Sequence, residues 1–329
     1  MAPDYSSQML PTSRTPRVSI VIPFLDAAQF LPEAVNSVFS QTYRDWELLL
    51  VDDGSSDRSS ELARSYAMAM PGKVHYLEHP SHENRGSSAS RNLGVCHARG
   101  SYIAFLDSDD VWKPSKLEEQ VPLLDAYPEV DLVYGTTLIW YGWNESSREV
   151  TPDYVPDMGM PLGQVIPGQL LLARMLRREA NCPPMSNLFL RRSAILEAGL
   201  FEEQFRGMHD DQAFLSKMCL RSQVLVSGHC WHKYRQHPES CLARATVGGH
   251  RRGARKRYLK WLRHYLAEHS RRDTEIWRIV EEQLRPYRLT RRLRSRTLRI
   301  ARRVLPGPVR SWLRKRLTYK RLMEGQGQP

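Results

Sequence analysis

The sequence predicts an α/β fold: a mostly parallel sheet flanked by helices, followed by a C-terminal basic helical extension. Three observations carry that expectation. Short β-branched runs alternate with segments of helical period at βαβ spacing from residue 17 to about 130. Acidic clusters follow directly after two of those runs, where open α/β sheets bind their ligands. The charge then changes sign, because residues 251–329 hold 25 Lys and Arg against 6 Asp and Glu, whereas residues 1–250 hold 23 against 30. A step this abrupt marks a boundary near residue 250.

Val18-Ser19-Ile20-Val21-Ile22 is a nearly continuous apolar run ended by Pro23, the pattern of a strand buried on both faces. Leu31, Ala34, Val35, Val38 and Phe39 recur at helical spacing and predict a helix over 30–41. Residues 47–51 form a second strand, stopped by Asp52-Asp53-Gly54-Ser55-Ser56-Asp57. A helix over 59–70, a strand over 74–77 and a helix over 87–98 follow, with Gly100 expected as the C-terminal stop. A fourth strand over 101–106 runs straight into Asp107-Ser108-Asp109-Asp110. The two acidic clusters should therefore meet in one crevice at the carboxyl ends of the strands.

Composition narrows the class. The 329 residues leave room for one large domain or two ordinary ones, and 41% hydrophobic content suffices for a packed core. No apolar run of about 18 residues occurs. Residues 1–16 are polar, rich in Pro, Ser and Thr, and expected to be flexible, with no signal-peptide core. Cys96, Cys182, Cys219, Cys230 and Cys241 form no CxxC pair, which fits free thiols in a reducing compartment.

Three carboxylates within four residues repel one another, and a bound cation uses that charge. Mg²⁺ or Mn²⁺ takes hard oxygen ligands, typically one or two carboxylates plus substrate phosphates. Neither a Walker A loop nor a GxGxxG follows the first strand, so phosphate charge must be met mainly by metal. Taken alone, residues 107–110 read first as a capped polar loop.

The flanking segments change that reading. The run 18–23, then Ser37-Val38-Phe39-Ser40-Gln41-Thr42-Tyr43 and 47–57, closely resembles the opening of family 2 glycosyltransferases. The likeness continues through Ala89-Ser90-Arg91-Asn92-Leu93-Gly94 and 100–110; it is dense over 17–125 and thinner to about 241. The resemblance implies a GT-A fold, in which a Rossmann-like nucleotide half (17–130) and an acceptor half (131–250) share one sheet. It also implies a nucleotide-sugar donor, most often carried on UDP, and a divalent metal. By carry-over, Pro23 lines the nucleobase site and Asp53 accepts a hydrogen bond from the base. Asp107 and Asp109 match the D-x-D pair, Asp109 contacting the metal and Asp107 lying nearer the ribose or a metal-bound water. Arg85 or Arg91 touches the diphosphate, or else stands exposed on a helix. Asp52 and Asp57 read as turn and helix-cap carboxylates.

Residues 131–180 are rich in aromatics (Tyr134, Trp140, Tyr141, Trp143, Tyr154) and interrupted by prolines, which predicts an irregular stretch. Its rings either grip a sugar or pack a half-buried sheet. A strand is expected over 187–190 and a helix over 194–200, with Ser186 and Asn187 facing the acceptor cleft. Gly207-Met208-His209-Asp210-Asp211-Gln212 looks like the family's Glu-Asp motif with Asp210 in place of Glu. The resemblance makes Asp211 the general base and Asp210 its support, the pKa of Asp211 being raised by neighbouring charges. The same two residues also fit an N-cap pair ahead of a helix over 212–220. Tyr234-Arg235-Gln236-His237-Pro238-Glu239-Ser240 is similar to a late family segment whose histidine, here His237, is a further metal ligand; a structural histidine is the alternative. His229, Cys230 and His232 lack the spacing of a closed zinc site. The chain has no Gln-x-x-Arg-Trp signature of processive synthases, which favours transfer of a single sugar.

From Arg251 onward the chain reads as arginine-bearing helices. Leu289, Leu293, Ile300 and Val304 recur at helical spacing, and Val309, Trp312, Leu313 and Leu317 extend the stripe past Pro306-Gly307-Pro308. Such a basic amphipathic stretch, 285–322, suits an anionic membrane surface, each basic residue contributing roughly 1 kcal/mol. A helical appendage packed on the domain is the alternative, and nucleic-acid contact is less favoured. The expectation is an inverting, metal-dependent transferase that moves one sugar from a nucleotide-sugar to a hydroxyl of a glycan or lipid-linked acceptor in polysaccharide or cell-envelope synthesis. It would be cytoplasmic and peripheral on the membrane. A nucleotidyltransferase would need a Gly-rich basic loop where Pro23-Phe24-Leu25-Asp26 stands. The rival from another class is a nucleic-acid- or membrane-binding protein carrying an inactive domain of this kind.

Overall fold

The computed structural model describes residues 15–144, 151–240, 243 and 251–287. Residues 1–14, Cys241 and most of the basic stretch, from 288 onward, lie outside the described residues. The chain divides into two compact units, 1–279 and 280–329, so the charge step at 250 falls inside the first. In the second unit the described residues, 280–287, are helical.

The first unit opens with β1 (Val18–Phe24), α1 (Leu31–Phe39), β2 (Trp46–Asp52), α2 (Ser59–Ala69), β3 (Val74–Glu78), α3 (Ser87–His97) and β4 (Tyr102–Phe105). Every residue of β1 and β2 is buried, as continuous apolar runs between two helical layers should be. The face of α1 made by Leu31, Ala34, Val35 and Val38 is buried against the sheet, at about 1.5–3 kcal/mol for each large side chain. Gly100 does not end α3, which stops at His97; it lies where a Cβ would meet Ser19 N at 2.6 Å, so it allows the chain to pass close to β1.

The chain continues through β5 (Val111–Trp112), α4 (Lys116–Ala126), β6 (Val130–Trp140), β7 (Gln164–Pro167) and α5 (Gly168–Arg177). It then forms β8 (Phe189–Arg191), α6 (Arg192–Ala198), α7 (Asp210–Cys219), β9 (Gln223–Arg235) and α8 (Arg251–Glu268). All nine strands join one sheet in the order β3-β2-β1-β4-β8-β6-β9-β5, with β7 also on β9. It is parallel across β3, β2, β1 and β4, and mixed beyond, because β8 runs antiparallel to both β4 and β6.

The second half is more regular than its composition suggests. β6 and β9 run parallel along most of their length, with bulges near Tyr134 and Thr136 that absorb the mismatch. Tyr134 is fully buried, and Trp140 and Trp143 lie over the Arg235 guanidinium at 4.4 and 5.1 Å, so these rings pack the sheet and its edge. Ser186 and Asn187 do not face a cleft; both are fully buried. Asn187 Oδ1 accepts from Gly135 N, while Nδ2 donates to Gly135 O, Thr136 O and Thr137 Oγ1, satisfying the backbone that the β6 bulge leaves unpaired. The four cysteines among the described residues are free thiols.

Candidate active site

The strand ends aim their residues at one cleft. β1 outlasts its pairing with β4, which ends at Val21 and Phe105, and Pro23 sits in that overhang, where a missing N–H costs no bond to β4. After β2, Asp53 N donates to Phe24 O, and Gly54 turns the chain at φ 83°, where a Cβ would strike Asn84 N and His82 O at 2.8 Å. The Asp53 carboxylate then takes the N–H groups of Arg85 and Gly86 at 2.8 and 2.9 Å and the Ser90 hydroxyl at 3.1 Å. It thereby pins the loop before α3 to the end of β2.

The turn after β4 is fixed from the opposite half of the sheet. Asp110 is fully buried; it accepts from Ser186 Oγ at 2.6 Å and from Arg235 N at 3.0 Å. Burial, then the charges of Asp109 and Asp107, raise its pKa well above the usual carboxylate range. Arg235 Nε donates to Asp109 O, and Ser186 Oγ meets Asp107 N at 3.0 Å. Asp110 therefore holds the turn while Asp107 and Asp109 line the cleft.

The cleft encloses about 560 Å³. Pro23, Asp53, Arg91, Asp107, Asp109, Asp210 and Asp211 all contribute to its wall, so seven of the nine sequence-predicted site residues share one space. Arg91 is the joint: its Nη2 lies 2.7 Å from Asp107 Oδ1 and its Nη1 2.9 Å from Asp210 Oδ2. The Ser87 hydroxyl also donates to Asp210 Oδ2, at 2.8 Å. An arginine only 7% exposed thus neutralises two carboxylates, one from each half of the sheet. Arg91 is buried rather than exposed on its helix. The Asp107 pKa is raised, by burial first, with the Arg91 charge offsetting part of the rise and the charges of Asp109 and Asp210 adding to it.

Asp210 and Asp211 open α7 as its first two residues rather than capping it; the preceding residue, His209, is left-handed at φ 67°. Asp210 carries the ion pair. Among the described residues Asp211 has only the N–H of Gln212 at 2.7 Å and the Cys182 thiol at 3.7 Å. Its pKa is pushed up to about 6, first by burial and then by Asp210; burial, more than the neighbouring charge, is the larger cause. A carboxylate of that kind takes a proton readily near neutral pH.

Two of the remaining predicted positions behave differently. His237 lies just past β9, its ring 4.7 Å from that of Phe30, and its Nε2 is 3.0 Å from Asp109 Oδ2. Neighbouring donors on an octahedral cation, each about 2.1 Å from it, are about 3 Å apart, so this pair has ligand spacing as well as hydrogen-bond spacing. Asp107 instead turns an oxygen to Arg91, and among the described residues no three His, Cys, Asp or Glu side chains are placed to hold an ion. The donor set suits a cation that takes its other ligands from phosphate and water. Arg85 gives its backbone N–H to Asp53 and is not part of the cleft wall; Arg206 is, with its Nη2 on Asn84 O. Arg206, Ser87, Tyr234 and Gln212 line the cleft without having been given a site role, although Gln212 and Tyr234 stand in the two late family-like segments and Arg206 carried a signal in its charge.

Comparison with known proteins places this geometry in a family. The model of glycosyl transferase family 2 matches residues 19–196, more than half of the chain. An uncharacterized glycosyltransferase of Nostoc sp. is 31% identical over 182 residues, 54% of this chain and 52% of that protein. The putative teichuronic acid biosynthesis glycosyltransferase TuaG of Bacillus subtilis is 37% identical over 115 residues, 34% of this chain and 44% of its own length. The matches thus span about half the length of these relatives. Among solved structures, S. aureus TarS 1–349 in complex with UDP aligns with a TM-score of 0.57 at 18% identity, covering 75% of this chain and 64% of TarS 1–349. The mannosyltransferase PcManGT from Pyrobaculum calidifontis, in complex with GDP-Man and Mn²⁺, aligns with a TM-score of 0.55 at 17% identity over 97% of this chain and 84% of its own. The curled mixed sheet with flanking helices is the GT-A fold. The chain belongs to glycosyl transferase family 2.

Proposed function

We propose that this protein transfers a single sugar, with inversion, from a nucleotide-sugar to a hydroxyl of a glycan or lipid-linked acceptor in cell-envelope or polysaccharide synthesis. The observation that carries the reading is the contrast between two adjacent carboxylates on the cleft. Asp210 is tied to Arg91 and Ser87, while Asp211, half-buried beside it, has no ion pair among the described residues, and its pKa is pushed up to about 6 by desolvation. That contrast suits one base and one positioning group.

Pro23 and Asp53 border the nucleobase end of the cleft, and Asp53 keeps its loop in place. UDP is the favoured nucleotide, since TarS was solved with UDP and UDP-GlcNAc, although PcManGT holds GDP-Man. Asp109 and His237 would hold a Mg²⁺ or Mn²⁺ ion, with Asp107 behind them. When bound, that ion neutralises charge on the departing diphosphate. Arg206 faces the diphosphate in place of Arg85, and Arg91 holds Asp107 and Asp210 apart. Asp211 takes the proton of the acceptor hydroxyl, and a single base suffices because a single displacement inverts the anomeric centre.

The halves 17–130 and 131–250 act as donor and acceptor sides of one sheet. Among the described residues no helix is long and apolar enough to cross a membrane. The basic stretch 285–322 attaches the protein to the anionic cytoplasmic face, and co-sedimentation with anionic vesicles, lost as salt rises, tests that attachment. Binding to duplex DNA but not to vesicles would favour the rival reading. Transfer itself is tested by proton NMR of slow donor hydrolysis, water standing in for the acceptor. Initial release of the opposite anomer supports inversion, and release of the donor's own anomer contradicts it.

A further inference from the structure

A second cavity, of about 340 Å³, adjoins the cleft and shares Met208, His209 and Gln212 with it. The rest of its wall includes Arg178, Asn181 and Cys182 beyond α5, and Arg255 and Tyr258 on α8. Among the described residues that wall carries two guanidinium groups and no carboxylate.

Donor and acceptor roles on the shared wall follow from side-chain chemistry. A guanidinium only donates, so Gln212 Oε1, 3.3 Å from Arg255 Nη1, is turned to it as an acceptor. His209 Nδ1 lies 2.9 Å from the same oxygen and must therefore carry the ring proton. Nε2 keeps a bare lone pair, buried and without a partner among the described residues. The ring is held by its left-handed backbone and by parallel stacking on Tyr258 at 5.3 Å. Burial above all, with the charges of Arg255 and Arg257, lowers its pKa and keeps the imidazole neutral. Arg255, held on Gln212 Oε1 and Leu176 O, and the exposed Arg178 supply two cations, which with one lone pair complement a ligand with an oxyanion and a hydroxyl. Cys182 joins the two spaces, since it lines this cavity while its Sγ lies 3.7 Å from Asp211 Oδ2.

We infer that this cavity is the subsite for an anionic acceptor. Arg178 and Arg255 hold a phosphate or carboxylate group of the acceptor, and a second acceptor hydroxyl, other than the one Asp211 deprotonates, donates to His209 Nε2. The inference rests on the transferase reading and adds to it the chemical class of the acceptor.

The test uses the full chain with its donor cleft saturated by the nucleoside diphosphate it binds. Glycerol 3-phosphate, glucuronate, glycerol and glucose are then titrated in turn. At least one acid should bind saturably and neither neutral compound should. Arg178→Glu and Arg255→Gln should each weaken the acid about tenfold, one ion pair's worth, at unchanged nucleotide affinity. Glycerol 3-phosphate alone points to a phosphodiester acceptor, glucuronate alone to a uronate, and both to recognition of charge. Nucleotide binding without acid binding overturns the acceptor class only, as do variants that bind the acid unchanged. A protein that binds no nucleotide overturns the transferase reading and the acceptor assignment together.

Discussion

The guanidinium of Arg91 lies 2.9 Å from the carboxylate of Asp210, 119 residues further along the chain. With its other nitrogen on Asp107, Arg91 couples the turn after β4 to the start of α7, and so fixes the width of the cleft. Removing it sets two carboxylates against each other, one 27% and one 14% exposed. Arg91→Ala should cost about 3 kcal/mol of stability at pH 7, the lower end of the range for breaking a buried pair. Arg91→Lys should cost less, since one ammonium retains charge but cannot span both partners. The loss should shrink as pH falls, because the Asp107 pKa is raised by burial and its protonation relieves the repulsion. Urea unfolding at pH 7 and in acid measures it.

Asp211 should control the pH dependence. With a folded-state pKa of about 6, the base is protonated in acid, so kcat/KM should rise with pH through about 6 and then level. Asp211→Asn should lower the rate by about 10²–10⁴-fold and abolish that limb. The sign for stability is the reverse. A carboxylate whose pKa is raised on folding binds its proton more tightly folded than unfolded, so its contribution is greatest below the unfolded value, about 4, and is lost as pH rises through 6. Asp211→Asn should therefore be more stable than the parent at pH 8, read as a melting temperature raised by a few degrees.

Asn187 is a structural position despite its place beside the cleft turn. Asn187→Ala strands buried backbone groups of Gly135 and Thr136, and should cost about 2–4 kcal/mol. Nucleotide affinity of the folded fraction should stay at the parental value. Denaturant midpoints and nucleotide titration on the same preparation separate the two effects.

The contrast between Asn187 and Asp211 shows what was legible in the sequence. The first four strands and the acidic turns behind them were readable because strand, helix and turn signals there are local; Asp53, Asp107 and Asp109 follow from strand ends, whereas Asp211 came from the resemblance of its segment to the family motif. Asn187 was misread because its partners lie 50 to 52 residues away on β6, a strand that aromatics and Thr hid behind later prolines. Asp110 and Arg91 were recognisable as charged residues, but pairing across the sheet made one a buried brace and the other a double clamp. Cys182 carried no local signal, and His209 stood inside a motif that said nothing of a cavity, since a cavity wall is assembled from segments distant in sequence.

Asp109 and His237 should govern metal dependence together. Asp109→Ala should reduce the metal-dependent part of nucleotide affinity by more than about tenfold, and His237→Ala by about tenfold. Titrating Mn²⁺ into the protein with nucleoside diphosphate present gives both values. An unchanged Mn²⁺ affinity in His237→Ala would leave that ring as a hydrogen-bond partner of Asp109 and nothing more.

The central claim is a metal-assisted nucleotide site between the ends of β1, β2 and β4. Calorimetric titration of the full chain with UDP, GDP, CDP and dTDP, each with and without Mn²⁺, tests it most directly. The account predicts that one nucleotide, UDP foremost, binds only with Mn²⁺ and that Asp109→Ala abolishes the binding. Absence of binding by all four, with or without metal, would contradict it.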